Sequence, residues 1–256
     1  MKIVIKIGTS TLAYQNGCVN IRRFESLCRV ISDIKNAGHS VVLVSSGAIG
    51  MGVGKLHLKS RPTDLAGKQA AAAVGQCELM YLYDKAFGEY NHTVAQLLLT
   101  GPDLSCPDRL AKVKSTLSVL TELNTIPIIN ENDTVSTEEI EVGDNDTLAA
   151  LVAAAVEAEL LVLLSDIDGL YDKDPHKHAD ARLIAEVKEL TDGIMALGQG
   201  AGSALGTGGM ATKLRAAKIA TEAGSDMIIA NGASPELLYG IVDGESVGTR
   251  FSRRKK

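Results

Sequence analysis

Short apolar runs rich in β-branched residues recur along this chain, at residues 3–7, 41–44, 93–98, 126–129, 160–164 and 227–230. Between them lie longer segments with helical spacing, at residues 21–37, 65–87, 109–123, 147–158 and 212–223. A near-continuous apolar run bounded by turn residues reads as a strand buried on both faces, because a half-exposed strand would alternate with polar residues. Parallel neighbours need a crossover, and a helix supplies it. The alternation therefore predicts an α/β fold with a mostly parallel sheet covered on both sides. In residues 21–37, Phe24, Leu27, Cys28, Ile31 and Ile34 share one helical face, the face expected to lie on the sheet.

A chain of 256 residues can form one large α/β domain or two small ones. With only six prolines and no long Ser/Gly/Pro tract, no linker is visible. The net charge of −5 argues against non-specific nucleic-acid binding. Only the tail, Arg253-Arg254-Lys255-Lys256, is basic, and it reads as a solvated terminus. Cys18, Cys28, Cys77 and Cys106 form no CxxC pair; without a signal-peptide pattern they read as reduced thiols of a cytoplasmic protein. No apolar stretch is long enough to span a bilayer. His176 and His178 are close, but two histidines in a polar loop are a poor metal site without further ligands.

The chemistry gathers where the run at residues 126–129 ends. Asn130-Glu131-Asn132-Asp133 opens an acid-rich excursion, which closes at Gly143-Asp144-Asn145-Asp146 before an alanine-rich helical segment. In open α/β sheets, ligands bind where strands end and helices begin. An Asn amide can donate to a carboxylate and an Asp can accept from an ammonium group, so the mixture suits a zwitterion such as an amino acid. Glu138, Glu139 and Glu141 read as solvated loop charges. Asn130, Asp133, Asp144, Asn145 and Asp146 sit at the two necks of the excursion and read as functional.

Three glycine-rich turns add an anion-binding chemistry: Lys6-Ile7-Gly8-Thr9-Ser10, Ser45-Ser46-Gly47-Ala48-Ile49-Gly50, and the stretch 206–213 containing Thr207, Gly208, Gly209, Met210, Ala211, Thr212 and Lys213. Glycine lets backbone N–H groups approach an anion closely. No turn matches GxxxxGK[ST] or GxGxxG, so each alone is a weak signal. Lys6 is more telling. It ends a strand expected to be central, where an unpaired lysine is costly to bury. The bland alternative is a lysine snorkelling from an edge strand. Ser165-Asp166-Ile167-Asp168-Gly169 follows the run at residues 160–164; its D-x-D lacks the remaining calcium ligands and reads as a ligand-contacting loop.

Eight ordered motifs, KIGTSTL, VSSGAIG, KQAAAAVGQ, PIINENDTV, EVGDND, LLSDIDGLYDKDP, GTGGMATK and SVGTRF, resemble the amino-acid kinase family over almost the whole chain. The INEND and GDND pair resembles the members that act on glutamate. The resemblance implies a three-layer αβα sandwich with a mostly parallel central sheet. It also implies ATP-dependent phosphorylation of the γ-carboxylate of L-glutamate, the first step of proline synthesis. Lys6 and Lys213 would then stabilise the transferring phosphoryl group, with Asp146 orienting them or facing magnesium. Gly8, Thr9 and Gly47 would lie against phosphates. Ser46, Asp133 and Asn145 would bind glutamate with Asn130, and Asp144 would support the substrate loop. Ser165, Asp166 and the stretch from Thr207 through Gly208, Gly209, Met210, Ala211 and Thr212 to Lys213 would bind ATP. Mg2+ would be held mainly by ATP. The expected organisation is a kinase domain over residues 1–251 and a basic tail over 252–256, without the C-terminal PUA domain that many members carry. Proline is the expected feedback inhibitor, acting through a loop at residues 134–142, and a homo-oligomer is expected.

The alternatives differ in class. One is a kinase of the same fold acting on aspartate, carbamate or a nucleotide. Another is a non-catalytic amino-acid or nucleotide sensor, which would not need both lysines. A nicotinamide-dependent oxidoreductase is weakened by the missing GxGxxG.

Overall fold

The computed structural model describes residues 1–14, 18–135, 144–199 and 209–254. The strands are β1 (Lys2–Ile7), β2 (Ser40–Ser45), β3 (Val94–Leu99), β4 (Ile126–Glu131), β5 (Leu160–Ser165), β6 (Glu186–Val187), β7 (Asp226–Asn231) and β8 (Thr249–Phe251). The helices are α1 (Thr9–Leu12), α2 (Ile21–Asn36), α3 (Ala48–Lys55), α4 (Leu65–Gly88), α5 (Gly101–Ser105), α6 (Pro107–Glu122), α7 (Asn145–Ala155), α8 (Asp192–Ala196), α9 (Met210–Glu222) and α10 (Leu237–Asp243). The sheet order is β3-β4-β2-β1-β5-β7-β8-β6. Every pairing is parallel except β7 with β8. All six strands expected from the apolar runs are present. The two that were not expected, β6 and β8, are too short to carry a periodic signal.

The period of two along each strand sorts the core into two layers. Ile3, Ile5 and Ile7 of β1 pack with Phe24, Leu27 and Ile31 of α2, Leu79 and Tyr83 of α4, and Leu238 of α10. Val4 of β1 points the other way and packs with Leu148 and Val152 of α7 and Leu214 and Ala217 of α9. Helices on both faces of one sheet make three layers. Lys6 shares the face of Val4, so it rises into the layer of α7 and α9. As β1 lies inside the sheet between β2 and β5, Lys6 is no edge-strand lysine.

The segment after Gly47, expected to be a glycine turn, instead continues as α3. Gly47 makes the turn itself, with φ +106°, a conformation that strains other residues. The glycines that weaken helix propensity in α3 are needed for contact. A Cβ at Gly52 would lie 1.8 Å from the Ala71 carbonyl oxygen, and one at Gly75 of α4 would lie 1.7 Å from that of Ala48. The two helices thus touch backbone to backbone. Among the described residues no helix is long and apolar enough to cross a membrane.

Candidate functional site

The parallel strands deliver their C-terminal ends to one edge of the sheet, where open α/β sheets hold ligands. Three main-chain hydrogen bonds tie those ends together: Gly8 N–H to Leu164 O at 3.3 Å, Ser46 N–H to Ile7 O at 3.0 Å, and Gly232 N–H to Ser165 O at 2.7 Å. Strand order sorts the candidate residues. Ser46, Asn130 and Asp133 follow or end β2 and β4 on one side of β1. Ser165 and Asp166 lie at the end of β5 on the other. Lys6 stands between them on β1.

Asp146, in the first turn of α7, joins the two lysines. Its Oδ1 lies 2.6 Å from Lys6 Nζ and its Oδ2 lies 3.0 Å from Lys213 Nζ. The group is nearly dry: Asp146 is 0% exposed, Lys213 4% and Lys6 8%. The Thr212 hydroxyl also donates to Asp146 Oδ2 at 3.1 Å, and to Gly209 O at 2.7 Å in another rotamer of its proton. Burial alone would push the Asp146 carboxyl up, but the ammonium groups of Lys6 and Lys213 outweigh it and hold the carboxyl below its ordinary range. Gly8 lies directly against this group: a Cβ there would stand 3.7 Å from Lys6 Nζ, an ordinary contact distance.

A second cluster is neutral. Asn145 Nδ2 donates to Ser46 Oγ at 2.7 Å and to Asn130 Oδ1 at 3.0 Å, with the Ser45 carbonyl at 3.3 Å. Asn130 Oδ1 also accepts from Glu131 N–H at 2.9 Å, and Asn130 Nδ2 donates to Gln76 Oε1 at 2.9 Å. An amide nitrogen has two hydrogens, and those of Asn145 are both spent inside the protein. Asn145 thus has no amide hydrogen left to donate to a ligand carboxylate. Its remaining group is the acceptor Oδ1, buried with no partner among the described residues.

Asp144, expected to support the substrate loop, lies where that loop meets α7. It caps α7, accepting from Thr147 N–H at 2.8 Å and Thr147 Oγ at 3.1 Å. Burial raises its carboxyl, with Asp146 adding repulsion against the Thr147 hydrogen bond. Asp133 keeps its carboxylate at the neck after β4. Burial raises it to about 6, with Glu131 adding to the rise and Arg61 opposing it. Ser165 Oγ donates to Asp166 Oδ1 at 3.1 Å, while Asp168 accepts from Asn231 at 2.7 Å and from Tyr171 at 3.1 Å. Gly8 caps α1, which Thr9 begins; Gly209 caps α9, whose first turn is Met210, Ala211, Thr212 and Lys213. Thr207 and Gly208, the acidic residues Glu138, Glu139 and Glu141, residues 136–142 of the excursion, and Lys255 and Lys256 lie outside the described residues.

Neither Gln76 nor Arg61 was singled out from the sequence. Gln76 closes the motif KQAAAAVGQ, which gave it no role of its own; for Arg61 there was no signal. No group of three His, Cys, Asp or Glu side chains able to hold a metal occurs among the described residues, His176 and His178 included. Both oxygens of Asp146 are occupied by lysines, so its environment does not fit a dedicated magnesium site.

The family model for the Amino acid kinase family matches residues 1–231. Glutamate 5-kinase of Clostridium perfringens is 54% identical to this chain, over 99% of the chain and 96% of the relative. Glutamate 5-kinase of Caldanaerobacter subterraneus is 52% identical over 98% of the chain and 68% of the relative. Among solved structures, carbamate kinase from Giardia lamblia bound to AMP-PNP superposes with a TM-score of 0.67 at 21% identity, covering 99% of this chain and 98% of that one. UMP kinase from Bacillus anthracis superposes with a TM-score of 0.67 at 14% identity, covering 99% and 96%. At these identities the structural likeness speaks for the fold alone.

Proposed function

The chain belongs to the amino acid kinase family, and on that premise we propose that it transfers the γ-phosphoryl group of ATP to the γ-carboxylate of L-glutamate. The product is L-glutamyl 5-phosphate, the acyl phosphate that opens proline synthesis. The observation that carries the phosphoryl-transfer reading is the buried Lys6–Asp146–Lys213 group between the two sets of candidate ligand residues. The glutamate 5-kinases of similar sequence support the choice of acceptor.

A glutamate side chain, with a pKa of about 4.3, is already ionised at neutral pH, so no base has to remove a proton. One γ-carboxylate oxygen bonds to the γ-phosphorus as the bond to the β-phosphate oxygen breaks, and ADP leaves. Charge on the transferring phosphoryl oxygens is met by the ammonium groups of Lys6 and Lys213, which Asp146 holds in place in a dry setting. Gly8, Thr9, Gly47 and the segment around Gly209–Lys213 cradle phosphates, and Ser165 and Asp166 take the nucleotide side. Asp133 and Asn145 Oδ1 accept from the substrate ammonium. The Ser46 hydroxyl, whose oxygen accepts from Asn145, donates to a carboxylate. ATP would bring Mg2+ on its phosphates, and that ion would help neutralise their charge.

The test is ATP turnover with glutamate in the presence of hydroxylamine, which traps an acyl phosphate as a hydroxamate. Product from aspartate, carbamate or a nucleotide but not glutamate would reassign the acceptor. No ATP turnover with any acceptor would end the kinase reading. Proline has the α-carboxylate and a cationic nitrogen of glutamate, and in this reading it competes for the same pocket. Inhibition that rising glutamate cannot relieve counts against that overlap. The protein acts in the cytoplasm, consistent with four free cysteines. It assembles with copies of itself; the exposed Val119 and Leu123 near the end of α6 suit such a contact, and mass measurement in solution decides it.

A further inference from the structure

We propose that Gln76 is a positioning residue for the amino-acid substrate, acting through Asn130 to hold Asn145 with its carbonyl oxygen turned to the ligand's cationic nitrogen. The proposal rests on the glutamate reading given above. The orientation of each amide follows from main-chain groups that cannot reverse their polarity. Glu131 N–H can only donate, so the Asn130 oxygen must face it and the Asn130 nitrogen must face Gln76. The Ser45 carbonyl can only accept, so the Asn145 nitrogen faces it and Asn130 Oδ1. What remains on Asn145 is a buried acceptor without a partner among the described residues. An unsatisfied buried acceptor is costly, and a ligand ammonium group relieves it.

Gln76 is suited to anchor this chain of amides. Its side chain is buried, and it follows Gly75, where α4 meets the backbone of α3 with no room for a side chain. A residue on so fixed an element locks the groups it touches. Its Oε1 is the acceptor that takes the Asn130 amide; without it, Asn130 Nδ2 faces an apolar helix and the shortest way to a partner is to rotate. Rotation removes the acceptor that orients Asn145.

The experiment is steady-state kinetics with hydroxamate trapping on the full chain, comparing wild type with Gln76→Met and Gln76→Glu. Gln76→Met keeps length and apolar volume but removes the acceptor. It should raise KM for glutamate about tenfold, equivalent to about 1.4 kcal/mol. The value of kcat should change by less than about threefold and KM for ATP should stay put, as expected when binding rather than transition-state stabilisation is lost. Gln76→Glu retains an oxygen facing Asn130 and should recover most of the wild-type KM. If Gln76→Met does not fold, Gln76→Ala removes the same acceptor and carries the same expectation. An unchanged KM for glutamate in the acceptor-less variant overturns the proposal. So does a fall in kcat at constant KM, or a Glu variant as impaired as the Met variant. Absence of hydroxamate from the wild type overturns the glutamate reading itself, and is told apart because no variant is needed to see it.

Discussion

Asn145 and Asp146 are consecutive at the start of α7, yet they serve two regions held together by different physics. Asp146 faces two ammonium groups in a dry pocket, and its region is held by opposite charge. Asn145 faces Ser46 and Asn130, and its region is held by the direction of neutral amide hydrogen bonds. Successive helical residues point about 100° apart, so one helix start can feed both. The charged region fails by leaving charge without a partner. On the proposed function, the amide region fails by turning the wrong atom to the ligand. One loss is large and falls on folding and rate; the other is smaller and falls on affinity.

The sharpest way to break this contrast is to truncate the two neighbours. Asp146→Ala leaves two lysines buried without their carboxylate and should lower stability by about 3–5 kcal/mol. Asn145→Ala should cost about 1–3 kcal/mol, the range for stranding a neutral buried group. Urea unfolding of both variants measures the difference, and equal losses would erase the distinction. Next in size is Lys213→Ala. If its ammonium group meets charge that develops in the transition state, kcat should fall about 10²-fold or more with little change in KM for glutamate. A folded Lys213→Ala protein with near-normal kcat would remove that residue from the chemistry.

On the amide side, Asp133→Asn should raise KM for glutamate about tenfold, the scale of one charge-assisted hydrogen bond. A larger loss in kcat than in KM would move Asp133 to the other region. The last contrast is in pH dependence, where the two carboxyls have opposite signs. Asp133 titrates near 6 in the folded protein, so KM for glutamate in the wild type should rise as pH falls through 6. Its folded value lies above the unfolded one of about 3.9, so ionising it costs stability as pH climbs between the two. Asp133→Asn should therefore gain stability relative to wild type above pH 6. The depressed Asp146 carboxyl does the reverse: its contribution is whole above the ordinary carboxylate range and is lost as pH falls below it. Thermal melts across pH for wild type and Asp133→Asn separate the two signs.

How much was readable beforehand differed between the same two regions. Lys6 stood out because an isolated lysine in an apolar strand run demands a partner, and Asp146 and Lys213 were both singled out as candidates. The pairing of one carboxylate with both lysines was implied by the family resemblance alone; spacing and periodicity could not give it, since residues 6, 146 and 213 meet only when α7 and α9 cover one face of β1. Asp144 and Asp146 look alike in GDND. One caps a helix and the other holds two cations, a difference set by which side of α7 each faces. Gln76 went unassigned although it closes a quoted motif, because its partner lies 54 positions away and nothing local says which group it meets.

By itself the sequence determined the α/β alternation, the apolar helix faces, the turn glycines and the inventory of polar groups, because these depend on near neighbours and on periods of two and 3.6. The tertiary structure alone decided that α3 is a helix pressed on α4, that β8 runs antiparallel, and that Asp146 faces both lysines with its two oxygens. It also decided that Asn145 presents an acceptor rather than a donor. Each of these depends on close approach between distant segments, where the space left by a missing Cβ or the polarity of a facing carbonyl chooses the outcome.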